Sequence, residues 1–148
     1  MYNGRTIHSI TDLPDHEKLI GFVYRVQNLI TGQIYIGKKN FFTKRKKNLT
    51  KKELSTDKRR KTYKHVVKEG DWMTYWGSND ELNQDVLRQG EPFFRREMIA
   101  LATSSKALSY LEVKYQFQYG VLENESYNGN LLGKFYKKDM EGIYGDRH

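Results

Sequence analysis

Two short stretches near the start of the chain alternate apolar or aromatic residues with polar ones: IGFVYRVQN at residues 20–28 and QIYIG at residues 33–37. A period of two marks extended backbone with one buried face. Only LITG separates them, and its Gly32 enters the left-handed region without a Cβ clash. The two strands must therefore fold back on each other as an antiparallel hairpin. Immediately beyond it the sequence turns basic, KKNFFTKRKKN, so aromatic strands lead directly into a run of cations.

The remaining elements follow from local pattern. Residues 1–18 are polar and contain Pro14, which predicts an arm or an irregular lead-in. Residues 40–48 read as a helix, and the segment from Leu49 to Tyr75 as a long basic insertion of weak helical tendency. Ser78-Asn79-Asp80-Glu81 has the form of a capping box, after which Leu82, Val86 and Leu87 continue a helix that Gly90 stops. FFRREMIALA at residues 93–102 fits a third strand. Thr103-Ser104-Ser105 then caps a helix from Lys106 to about Tyr119, ended by Gly120. Ala107, Leu108, Leu111 and Tyr115 mark its buried face at spacings of three and four. There is no internal repeat and no linker between two cores. The expected fold is α+β: a three-stranded antiparallel sheet flanked by helices, with the basic insertion following the first helix.

Composition narrows the function classes. A chain of 148 residues suffices for a single domain with one core, here residues 1–148 with a polar arm at 1–18 and a tail at 133–148. Cysteine is absent, which excludes disulfides and thiolate metal sites. No run of about 18 apolar residues occurs and the first residues lack a signal-peptide core, so an intracellular protein is expected. The formal charge of +8 suggests a polyanionic partner. That charge is concentrated. Fourteen of the 26 Lys and Arg residues lie between Lys38 and Lys68, opposed there only by Glu53 and Asp57. Aromatic residues Phe41, Phe42, Tyr63, Trp72, Tyr75 and Trp76 are interleaved with or follow this run. They can pack beneath it or stack on bases, and of the two tryptophans Trp76 is expected to face inward.

Phe22-Val23-Tyr24 and Tyr35-Ile36-Gly37 together resemble the hairpin of the GIY-YIG nuclease family. Phe22 stands where the family name has glycine, although Gly21 precedes it. The family's later elements recur in order: Arg45 in FFTKR, Glu112 in LSYLEVKYQF and Asn128 in ESYNGNL. The likeness spans about residues 21–132, and IYIGKKNF and YWGSNDEL are similar to the phage branch of freestanding homing endonucleases. Many family members carry His or Tyr one helical turn after the arginine; here that position is Leu49, with Tyr63 and His65 as possible replacements from the insertion at about 46–76.

The resemblance implies a one-metal phosphodiester hydrolase. A single carboxylate, Glu112, would hold Mg²⁺ (or Mn²⁺ in its place), leaving the other octahedral positions to water and phosphate oxygens. Arg45 offers a planar fork to non-bridging oxygens. Lys38 adds a cation that can bind phosphate or lower a phenol's pKa. Tyr24 or Tyr35 would orient or deprotonate the attacking water, and Asn128 would support the site. Taken singly, each has an ordinary reading: strand aromatics, one cation of a run, a helix-surface carboxylate beside Lys106 or Lys114, and a turn asparagine.

Lys39, Lys44, Lys46, Lys47, Lys58, Arg59, Arg60, Lys61 and Lys64 are the candidate contacts to double-stranded DNA. Neither arm nor tail is long enough for a separate DNA-binding domain. Recognition then falls to the insertion, to a homodimer or to a partner protein. The leading function is a metal-dependent DNA endonuclease; the alternative is a catalytically weak DNA-binding or regulatory protein on the same scaffold.

Overall fold

A computed structural model of the chain describes residues 1–48, 51 and 63–144, with backbone alone at 45–48 and 63–65. In chain order its elements are β1 (Gly21–Asn28), β2 (Ile34–Asn40), β3 (Phe42–Asn48), β4 (Tyr63–Glu69), α1 (Asp80–Gln89), β5 (Phe94–Ala102), α2 (Ser105–Gln118), β6 (Asn130–Leu131) and β7 (Phe135–Tyr136), with short 3₁₀ turns between some of them. The expected three-stranded antiparallel sheet is present in the order β2-β1-β5. Its hairpin turns through Gly32 at φ +81°. The side-chain oxygen of Asn28 accepts from the backbone of Ile30 and Thr31, so the turn carries its own polar scaffold.

Alternation along β1 divides the core in two. Phe22, Tyr24 and Val26 face a cluster with Phe41, Trp72, Leu82, Val86, Phe94 and Met98. Val23, on the other face, joins Ile36, Ala102, Leu108, Val121 and Leu131. Helix α1 therefore covers one face of the sheet and α2 the other. A β-bulge between Val23 and Tyr24, opposite Ala100 and Met98, increases the local twist at the tyrosine.

Both helices start where side-chain oxygens accept from first-turn amides. Ser104 caps α2 as expected, accepting from Ala107 N at 3.1 Å. At α1 the cap is Asn79, which accepts from Leu82 N at 2.9 Å; Ser78 lies outside that role.

The reading of residues 40–48 as a helix is corrected. Residues 42–48 are strand β3, paired antiparallel with β4 in a two-stranded ribbon separate from the main sheet, from Phe42 opposite Glu69 to Asn48 opposite Tyr63. In a helix, Lys44 and Lys47 would be neighbours, and like charges there repel. Extended backbone alternates successive positions between two faces, and the β-branched Val66 and Val67 supply the partner strand. The ribbon also replaces the weak helical tendency expected over residues 63–69.

The lead-in is irregular, as expected, but it is not a free arm. Met98 N donates to Met1 O, Tyr2 bridges to Met98 alongside β5, and Leu13 is buried. No helix among the described residues is long and apolar enough to cross a membrane.

Candidate active site

Strand β2 is an edge of the sheet, and edges expose unpaired backbone groups. Here the segment at residues 126–128 covers it. Tyr127 N donates to Ile34 O at 2.7 Å, and the Asn128 side chain accepts from Ile36 N at 3.0 Å and donates to Ile36 O at 2.9 Å. Gln116 of α2 adds a second donor to Ile36 O at 3.2 Å. Over this edge lies a polar cleft of about 500 Å³. Tyr35, Ser78 and Asn79 line it from the α1 side, and Glu112 and Gln116 from α2, with Asn128, Gly129, Asn130, Leu132 and Gly133 closing the far wall.

The two tyrosines have different surroundings. Tyr24 is 2% exposed, with its ring 6.1 Å from those of Tyr35 and Tyr75. Its hydroxyl is enclosed by two glycines: a Cβ at Gly37 would lie 2.6 Å from it, and one at Gly77 3.3 Å. Burial, reinforced by Tyr35, pushes its phenol far above the ordinary tyrosine range. Tyr35 lies on the same face of the hairpin but lines the cleft, and its hydroxyl is 3.1 Å from Ser78 Oγ. Its phenol is also raised by burial, with the Ser78 bond acting in the opposite direction.

Glu112 sits midway along α2, half-buried. Burial raises its carboxyl above the usual carboxylate range, and the charge of Lys38 opposes that rise. Lys38 itself donates to Ser109 Oγ at 2.8 Å, one helical turn before Glu112, which fixes the cation beside the carboxylate. The helix-surface pairing of Glu112 with Lys106 or Lys114 is not what its surroundings show.

Among the described residues no group of three or more His, Asp or Glu side chains gathers as a metal cage. A lone carboxylate on a polar cleft nevertheless fits a hard divalent ion that keeps most of its ligands as water and substrate oxygens. Asn128 also lines the cleft, with its Oδ1 and Nδ2 each bonded to the backbone of Ile36.

Of the remaining sequence candidates, Lys39 and Lys44 do not line the cleft. Backbone pairing puts Arg45 on β3 opposite Val66, Lys46 opposite His65 and Lys47 opposite Lys64; the side chains of these four cations and of His65 lie outside the described residues. So do Leu49, Lys58, Arg59, Arg60 and Lys61 altogether. Lys44 is exposed on the ribbon. Lys39 pairs with Asp71 at 2.7 Å and lies 4.0 Å over the Tyr75 ring. Trp72 is buried, and Trp76 packs inward against Phe94 under the Arg96 guanidinium.

A family model described as "Putative endonuclease segE, GIY-YIG domain" matches residues 2–140. The chain belongs to the SegE GIY-YIG family. No curated protein and no solved structure matches it. Membership agrees with the hairpin and the three-stranded antiparallel sheet of the GIY-YIG fold. GIY-YIG nucleases generally use a divalent metal, which agrees with the character of the Glu112 cleft. The match also covers the first residues, which resemblance had left outside the motif core and which pack against β5.

Gln116 and Ser78 are among the cleft residues of this SegE-type domain that sequence reasoning missed. Gln116 was within reach of it, since it lies four positions after Glu112 and so shares its helical face. Ser78 was hidden because its dipeptide with Asn79 reads equally well as a helix cap.

Proposed function

We propose that the chain is a Mg²⁺-dependent endonuclease that hydrolyses phosphodiester bonds of double-stranded DNA in the cleft over β2, with Mn²⁺ able to substitute. The reading rests on one observation: Tyr35 and Glu112, carried on opposite faces of the sheet, meet in a single polar cleft at its edge.

Glu112 would hold the ion. A bound Mg²⁺ there supplies Lewis acidity at the phosphate and offsets charge on the departing 3′ oxygen. Lys38, held by Ser109, offers positive charge beside the carboxylate to a phosphate oxygen. The Tyr35 hydroxyl, open to the cleft, orients the attacking water. Tyr24 supports it from behind, since an enclosed phenol is poorly suited to exchange protons with water. Asn128 holds the backbone of β2 at the height where Tyr35 enters the cleft. Arg45 would offer its guanidinium fork to the phosphate from the ribbon, whose Lys44, Lys46, Lys47 and Lys64, with the cations at 58–61, would grip the DNA backbone.

The position of Arg45 on a ribbon, rather than on a helix against the sheet, favours the second reading of a DNA-binding protein with weak catalysis. One assay separates the two. Supercoiled plasmid incubated with the protein and Mg²⁺ or Mn²⁺ is expected to yield nicked or linear product, and EDTA to stop it. Retarded but intact plasmid at all metal concentrations would establish the binding protein instead.

A further inference from the structure

Gly77, Ser78 and Asn79 lead into α1, and each has a separate job. Asn79 alone caps the helix, through its bond from Leu82 N, and its side-chain amide donates to Tyr127 O at 2.8 Å. Gly77 has φ +137°, and a Cβ there would lie 3.0 Å from Cε1 of Tyr35. The absence of a side chain lets the loop lie against the tyrosine ring. Ser78, freed from capping, has its hydroxyl 3.1 Å from that of Tyr35.

Tyr35 is thus held at both ends. Its neighbours in β2 are fixed by Tyr127 N on Ile34 O and by Asn128 on Ile36. Its tip is fixed by Ser78. The chain of contacts from Tyr35 to Ser78, Asn79, Tyr127 and back to Ile34 is a closed ring of bonds around one wall of the cleft. A serine hydroxyl has one hydrogen and two lone pairs, as does a phenol with its own proton. If Ser78 donates, the phenol keeps its hydrogen and one lone pair for the cleft; if Ser78 accepts, the phenol keeps both lone pairs.

We propose that Ser78 is a positioning residue, which holds the Tyr35 hydroxyl in the cleft in the orientation that hydrolysis requires. This rests on the nuclease reading above. Ser78 itself touches no reacting atom; it acts through Tyr35.

The test compares wild type, Ser78→Ala, Ser78→Thr, Tyr35→Phe and the Ser78→Ala/Tyr35→Phe double variant on plasmid with Mg²⁺. Ser78→Ala is expected to lower kcat about five- to tenfold, the worth of one neutral hydrogen bond, with KM little changed. Ser78→Thr, which keeps the hydroxyl, restores most of the rate. In the Tyr35→Phe background Ser78→Ala costs nothing more, because the bond it removes is already gone. An equal loss in both backgrounds overturns the proposal, as does an unchanged kcat in the single variant. If wild type cuts no DNA, the nuclease reading fails, and the pair is judged from spectra of protein labelled with ¹³C at tyrosine Cζ. A Tyr35 resonance, assigned through Tyr35→Phe, that moves in Ser78→Ala upholds the positioning; one that stays in place overturns it.

Discussion

The carboxamide of Asn128 pairs with Ile36 as a neighbouring strand would, its Oδ1 accepting from the Ile36 N–H and its Nδ2 donating to the Ile36 carbonyl. With Tyr127 N on Ile34 O and Gln116 on the Ile36 carbonyl, it covers the edge of β2 where a fourth strand would otherwise be needed. Ile36 separates Tyr35 from Gly37, so this amide sets the height of the tyrosine and of the glycine that receives the Tyr24 hydroxyl.

Asn128→Ala leaves the buried Ile36 N–H without a partner, while Gln116 still serves the carbonyl. The expected loss is about 2–3 kcal/mol of folding stability, read from urea denaturation. Asn128→Asp keeps the acceptor but sets a carboxylate oxygen against the Ile36 carbonyl, so it should be no more stable than the alanine variant.

Stability should fall in alkali. Tyr24 and Tyr35 both have phenols raised by burial in the folded chain. In the unfolded chain a tyrosine loses its proton near pH 10, roughly as it does in a short peptide. Above that pH the folded state still holds protons that the unfolded state has released, so their contribution is complete below it and drains away as pH rises. Denaturation midpoints at pH 8 and at intervals above pH 10 measure this, and Tyr24→Phe should flatten the decline.

Glu112→Ala should abolish Mg²⁺-dependent cleavage and leave DNA binding in EDTA intact. Gel-shift and cleavage assays on one preparation give both readings. Near-normal turnover by the variant would remove Glu112 from the mechanism.

Arg45→Ala should lower kcat by a factor on the order of 10²–10³ if its guanidinium reaches the phosphate during reaction. Arg45→Lys should restore little, because a point charge does not reproduce a bidentate fork. A change confined to KM would assign Arg45 to the grip of the ribbon.

Lys44 and Lys68 are exposed on the two strands of the ribbon. Replacing both with Gln should weaken DNA binding for all sequences alike. It should also reduce the log–log salt slope by roughly one for each phosphate that is no longer neutralised. Titrations at several salt concentrations measure the slope; an unchanged one would leave these lysines as solvated surface.

What was legible in the sequence had a local cause. The β1–β2 hairpin announces itself through alternation and Gly32, and α2 through its serine cap and its apolar spacing. Glu112 and Tyr35 could be named from motif order, and both line the cleft. The ribbon was illegible because its pairing joins residues up to 27 positions apart, Phe42 to Glu69, across a run of cations that reads as helix or coil by composition. The inequality of Tyr24 and Tyr35 was equally hidden. Both share one face of the hairpin, but Tyr24 lies on the central strand with its hydroxyl enclosed by Gly37 and Gly77, whereas Tyr35 lies on the edge strand and lines the cleft.

Among the described residues the ribbon leaves the body of the protein at Phe41 and rejoins it at Gly70, where ribbon residue Glu69 also accepts from the Trp72 indole. Phe41 is fully buried between Phe22 and Trp72, its N–H donates to Ile20 O, and its carbonyl accepts from Gly70 N. Both ribbon strands therefore hang from one anchored base, while Tyr35, Glu112 and Asn128 are held by other contacts. A lineage, or a designer, can lengthen or recharge that appendage beyond Arg45 while leaving in place the contacts that hold Tyr35, Glu112 and Asn128.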